Sequence, residues 1–261
     1  MDNQSLQRIP VYSSSTDNGT GDERYRDFLI KSGNAGFTKS VWTYFSLAVL
    51  IVFFPLLSLL GVVGQDTSAM LSNMTQGVLV FMLIVTILFQ WAIFLINYVS
   101  TFFEQTGLAG LGLKRIRVID FAWAGAFFLT AWLILTGLAW ILARFGMEIP
   151  GEIGLLVPSD PFGKVVWVLV SFTAGFCEEI AYRGYLMTRL RILLKNKTWL
   201  IPTIMSAIFF GIGHVYQGWA GFIIITVYGA LFSLLYIRTG SLWPCIIAHS
   251  IQDLGNLFMP R

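Results

Sequence analysis

Charge is scarce in this chain. Asp, Glu, Lys and Arg together make 12% of its 261 residues, about half the share in a soluble globular domain. That scarcity, with a mean hydropathy of +0.72, excludes an ordinary soluble fold. The balance of 17 Lys and Arg against 14 Asp and Glu forms no basic patch interleaved with aromatics, so nucleic acid is not an expected partner. Cysteine is nearly missing. Cys177 and Cys245 make no disulfide framework, and both read as small apolar packing residues. The sharper reading makes Cys245 a nucleophile, one helical turn before His249. It lacks any thiolate-stabilising neighbour apart from that histidine. No repeat with a period of about 20–50 residues stands out, and no second soluble domain. The N-terminus lacks an apolar stretch followed by a small-residue cleavage site, so a removable signal peptide is not expected.

Long apolar runs are what the chain does have. Hydrophobic residues make 56% of it. Runs of spanning length fall at roughly 41–63, 77–103, 119–145, 164–187, 199–215, 219–237 and 241–258. The reading is all-α: a polytopic transmembrane helix bundle of about seven spans, occupying residues 41–258 with the lipid bilayer as its solvent. Residues 1–40 contain "SSSTDNGTGDER" and read as a polar, disordered cytoplasmic tail. Basic residues concentrate on cytoplasmic connections. With the N-terminus inside, only Arg144, Lys164 and Arg261 of the 17 Lys and Arg fall on the far side. The expected location is therefore the cell membrane, multi-pass, with a cytoplasmic N-terminus.

Against that background a few polar residues stand out. An ionisable group within the bilayer costs several kcal/mol unless paired or hydrated, so its presence points to function. The fourth run carries Glu178, Glu179 and Arg183 in "GFCEEIAYRGYL", the fifth His214 in "FFGIGHVYQG", and the seventh His249 and Asp253 in "CIIAHSIQDLGN". The chain has 2 histidines, and both are in this set. Residues four apart share a helix face. Glu179 is thus set to pair with Arg183, acid before base. Glu178 points elsewhere, with Tyr182 one turn on, and lacks a local cation, as suits a general base. His249 and Asp253 share a face, so the carboxylate can fix the imidazole tautomer. Phe210 and His214 share another, and the ring can wall the site. Gly175, Gly184, Gly211 and Gly213 allow close helix approach. Counted along the runs, Glu178 and His249 lie near mid-bilayer and His214 nearer the outer end.

These residues resemble the CPBP (CAAX protease and bacteriocin-processing, or Abi) family of intramembrane proteases, whose motifs are EExxxR, FxxxH and HxxxN or HxxxD, in that order. Here they read Glu178-Glu179-xxx-Arg183, Phe210-xxx-His214 and His249-xxx-Asp253. The likeness covers about residues 163–258, and "GLGLKRIRV" is a weaker echo before the third run. The resemblance implies an intramembrane endopeptidase that hydrolyses a peptide bond of a membrane-associated protein or peptide. It implies Glu178 as general base, His214 as its water-positioning partner and His249 as oxyanion donor, with Glu179 and Arg183 supporting from behind. Asp253 stands where the commoner residue is Asn; an ionised carboxylate cannot donate to an oxyanion, only orient His249 or hold it protonated.

Two cofactor readings stay open. A metal-free glutamate mechanism uses all these residues. The alternative is a zinc site with Glu178, His214 and His249 as ligands, an open set of three, although no HExxH pair is present. Other classes are a catalytically silent scaffold or bacteriocin-immunity protein of the same family, and a proton-coupled transporter. The transporter would need broken helices and an inverted repeat, and neither is visible. The substrate, its side of entry and the oligomeric state are not readable from the sequence.

Overall fold

A computed structural model describes residues 21–195 and 198–258. Among these the chain is helical throughout, without strands, because in hydrocarbon a helix satisfies its own backbone polar groups. Five helices are long and apolar enough to cross a membrane. They are α2 (Val41–Leu60), α4 (Gln76–Phe103), α5 (Val118–Arg144), α6 (Pro161–Leu193) and the segment Val215–Thr239, which contains α8 (Gly218–Thr239). The other helices are α1 (Gly21–Lys31), α3 (Thr67–Ser72), α7 (Leu200–Ile212) and α9 (Trp243–Gly255).

Local chemistry sets the ends. Ser40 and Thr43 close a reciprocal cap on α2, each side-chain oxygen accepting from the other's backbone N–H at 3.2 Å. The turns Val49–Phe53 widen to a π-helix just before Pro55, which has no N–H to give. Asp66, Thr75 and Asp160 cap α3, α4 and α6, and Pro161 opens α6 at the position where a missing N–H costs nothing.

Of the seven apolar runs, five hold helices of spanning length among the described residues. The runs at 199–215 and 241–258 contain α7 and α9, each of 13 residues, and such a helix rises only about 20 Å where the hydrocarbon core is about 30 Å thick. The apolar run continues past α7, but the backbone does not. His214 leaves the helix (φ −117°), Val215–Gln217 makes a 3-10 turn, and Gly218 at φ +74° reverses the chain into α8. That left-handed value is open to glycine at little cost. At about 1.5 Å per residue, Glu178 stands roughly 22 Å along α6 from Leu193, and α7 ends roughly 20 Å from Leu200. His214 and Glu178 border the same cavity.

α6 is the central helix. Of its most apolar stretch 61% is buried, against 17% for α4 and 11% for α5. It packs on α4 at one side and α9 at the other; α7 lies along α8, and α5 crosses α8 and α9. Small residues permit the tightest of these contacts. A Cβ on Gly175 would run into the Ser250 hydroxyl of α9 and lie 2.9 Å from its backbone nitrogen; one on Gly211 would strike Thr226 of α8.

Toward the basic connections α6 carries a second buried ion pair, which the sequence reading did not anticipate. Arg189 reaches Glu104 at 2.6 Å, both side chains fully buried. Nε also donates to Glu104 at 3.0 Å, Nη2 to Thr106 Oγ1 at 3.2 Å, and Nη1 to Asn34 Oδ1 and the Gly110 carbonyl, each at 2.8 Å. A buried pair so fully hydrogen-bonded offsets much of its desolvation cost. It also docks the N-terminal segment. Phe28 meets Trp199 edge-on at 5.0 Å, and the Tyr25 hydroxyl donates to the Ile192 carbonyl at 3.2 Å. Residues 1–20 of the expected tail lie outside the described residues. Gly21–Lys31 forms α1, and Tyr25, Phe28 and Asn34 find partners on α6 and at Trp199.

Candidate active site

Glu178 and Glu179 are consecutive on α6, so their side chains leave it about 100° apart. Glu179 turns inward and is fully buried. One of its oxygens, Oε1, receives two partners: Arg183 Nη1 and His249 Nδ1, both at 2.9 Å. Arg183 also donates to the Gly229 carbonyl of α8 at 3.1 Å. Its guanidinium packs over Phe210 (4.3 Å) and Phe232 (5.1 Å), so rings and carbonyl replace water around the charge. The ion pair holds although Ile180–Met187 is wound as a π-helix.

Glu178 turns to a cavity of about 1070 Å³. Its Oε1 accepts from Gln90 Nε2 of α4 at 2.7 Å. Its Oε2 has no protein hydrogen-bond partner and lies 3.9 Å from His249 Nε2. Glu178, Tyr182, Phe210, His214, His249 and Asp253 all border this cavity. The motif residues from α6, α7 and α9 therefore converge, apart from Glu179 and Arg183, which stand behind the wall and touch it through His249 and Phe210.

Both histidines are oriented through Nδ1. His214 Nδ1 is 2.9 Å from the Phe210 carbonyl. That oxygen can only accept, so Nδ1 carries the proton and Nε2 is left as an acceptor. The His249 ring stacks on Phe232 at 5.4 Å, presents Nδ1 to Glu179, and turns Nε2 toward Glu178. Asp253 is the exception to expectation. Its nearest oxygen is 3.6 Å from His249 Nε2, too far for a hydrogen bond. It does not fix the tautomer; Glu179 occupies the nitrogen that would do so. Asp253 instead reaches α6 through its backbone, whose carbonyl accepts from Trp167 Nε1 at 3.0 Å. Tyr182 packs edge-on against Phe210 at 5.2 Å, its hydroxyl buried without a protein partner.

The cysteine reading finds little here. Cys245 is fully buried, and its thiol donates to the Phe232 carbonyl at 3.5 Å. Among the described residues no group of three or more His, Cys, Asp or Glu side chains is drawn together to hold a metal ion. Glu178, His214 and His249 border one cavity. The donor that sequence reasoning missed is Gln90. An amide in the middle of "VTILFQWAIFL" is itself a signal, since apolar spans rarely carry one without a partner.

Residues 160–255 match the profile of the Rce1-like family, described as type II CAAX prenyl endopeptidase Rce1-like. No curated protein and no solved structure matches the chain. The matched segment runs from the capping residue of α6 to the last residue of α9. It thus takes in every motif residue at the cavity and leaves α2, α4 and α5 outside. Over that segment this integral membrane protein matches the Rce1-like family model, in keeping with its resemblance to the CPBP family.

Proposed function

We propose that the chain is an intramembrane endopeptidase that hydrolyses a peptide bond of a membrane-associated protein or peptide, in the cell membrane, with its N-terminus cytoplasmic. The observation that carries this is the meeting of Glu178 and His249. The unpartnered Oε2 of Glu178 faces His249 Nε2 across 3.9 Å, in a cavity that His214 also borders.

The chemistry follows from what each group has free. Glu178 Oε2 takes a proton from a water molecule, whose oxygen attacks the scissile carbonyl carbon. His214 offers an Nε2 lone pair to the same water and holds it in line. The carbonyl oxygen gains a negative charge as the tetrahedral intermediate forms. His249, protonated on both nitrogens, donates from Nε2 to that oxygen. Collapse breaks the C–N bond, and the proton held by Glu178 passes to the leaving amine. Glu179 keeps the imidazole turned by holding Nδ1, and Arg183 holds the Glu179 carboxylate in place. This scheme requires no metal, and no step is assigned to one.

The test uses the full-length chain purified in detergent and a library of fluorogenic membrane peptides. Wild type cleaves members of the library, and Glu178→Gln does not. Treatment with a strong chelator leaves cleavage unchanged, with no stoichiometric metal by elemental analysis. Activity lost on chelation and restored by zinc overturns the glutamate mechanism. Absence of cleavage across the library, by protein shown to be folded, favours the silent scaffold.

A further inference from the structure

The catalytic cavity has a floor and a mouth. On the floor Cys177, Tyr182, Phe210 and His249 are 2%, 4%, 2% and 5% exposed. At the mouth Met70 and Ile149 are 42% and 38% exposed, and Gly61 and Gly154 beside them are exposed too. Each long helix lends only one end to the lining. α4 contributes between residues 79 and 93, toward its start. α5 contributes between 132 and 139, toward its end. α6 contributes between 167 and 182, and α8 between 224 and 228, both toward their starts. α4, α5 and α6 alternate in direction, and α7 carries the chain back toward the start of α6 before Gly218 turns it into α8, so α8 runs in the same sense as α6 and these ends all lie at one side of the membrane. The connections that border the mouth, 61–71 and 149–157, belong to that side.

The other side is closed. Every residue of α6 from Glu179 to Ile192 is buried. Below Glu179 come Arg183, packed on Phe210 and Phe232, and then the Arg189–Glu104 pair. Among the described residues none from the connections 104–117, 194–199 or 240–242 borders the cavity.

Charge tells the two sides apart. The closed side carries Lys114, Arg115 and Arg117 before α5, Lys195 after α6, and Arg238 in the last turn of α8. Connections on the mouth side carry Asp66, Glu148, Glu152 and Asp160, with Arg144 and Lys164 at the helix ends. Basic connections stay in the cytoplasm. We infer that the catalytic cavity opens to the extracytoplasmic side and receives a polypeptide segment displayed there, rather than a cytosolic chain end. What passes through the opening rests on the protease reading; where the opening lies does not.

The experiment separates the two. The full chain is made with Cys177→Ala and Cys245→Ala, and single reporters are added: Met70→Cys at the mouth, Gln65→Cys beside it, and Arg115→Cys on the basic connection. Intact expressing cells are treated with a membrane-impermeant maleimide. Met70→Cys and Gln65→Cys label without permeabilisation, and Arg115→Cys labels only after it. The reverse pattern overturns the inference. In a second arm a peptide cleaved by the detergent-purified enzyme is added outside sealed vesicles. Right-side-out vesicles cleave it, and inverted vesicles do not; cleavage by inverted vesicles alone overturns the inference. If no peptide is cleaved in detergent the protease reading fails, and the labelling pattern alone decides the opening.

Discussion

His249 takes its orientation from Glu179 on a neighbouring helix, 2.9 Å from Nδ1, and not from Asp253 on its own helix, 3.6 Å from Nε2. The consequence is an ordering of two variants. Glu179→Gln removes the charge that turns the imidazole and leaves Arg183 with a neutral partner. Its kcat falls by about 10²-fold or more, the range for losing an acid–base group. Asp253→Asn supplies an amide donor at the cavity wall and keeps kcat within about tenfold of wild type, a loss of no more than one 1.4 kcal/mol step. Steady-state rates on one peptide check both. A larger loss in Asp253→Asn than in Glu179→Gln would return the orienting role to Asp253.

Arg183 and Glu178 separate stability from chemistry. Arg183→Ala leaves a fully buried carboxylate with His249 as its one charged partner, which costs up to about 3–5 kcal/mol of folding stability. Glu178→Gln leaves an isosteric amide at the cavity, where the carboxylate side chain is 18% exposed, and unfolds near the wild-type temperature while losing activity. Thermal unfolding in detergent measures the difference. Equal destabilisation by the two substitutions would contradict the division of roles.

Gln90 holds the base from outside the matched domain. Its amide binds Oε1 of Glu178 at 2.7 Å and so leaves Oε2 to face His249. Gln90→Met keeps the volume and removes the donor. A positioning role lowers kcat by about tenfold, one 1.4 kcal/mol step in the barrier, with KM nearly unchanged. Gln90→His, which can still donate, recovers part of the loss. A rise in KM with kcat intact would instead make Gln90 a substrate contact.

The pH–rate profile distinguishes base from helper. Cleavage requires ionised Glu178, so kcat rises with pH as that carboxylate loses its proton and is lost as pH falls below that point. His214→Ala lowers the plateau, because the water is held less well, and keeps the acidic limb. Disappearance of the limb in His214→Ala would make the histidine the titrating base.

Much of this was legible from residue order, and the legible part has one physical character. It depends on distances along the chain. Spans declare themselves because some twenty consecutive apolar residues have one stable setting, and α2, α4, α5 and α6 lie where the apolar runs do. Glu179 and Arg183 meet because one helical turn brings fourth neighbours together, and Glu178 parts from Glu179 because adjacent side chains diverge. Tertiary structure decided what depends on distances between helices. The partner of His249 is Glu179 rather than its fourth neighbour, because α6 and α9 pack close at Gly175 and bring that carboxylate nearer than Asp253. Gln90 reaches Glu178 across 88 positions of sequence, a contact with no local signal beyond an amide in an apolar run. The shortness of α7 follows from a turn at Gly218 that hydropathy does not register, and it ends the helix where His214 borders the cavity of Glu178. The mouth of the cavity exists only where alternating helix ends gather on one side. Periodicity along a helix reports which face a residue is on; which faces meet, and at what depth, is set by packing between segments.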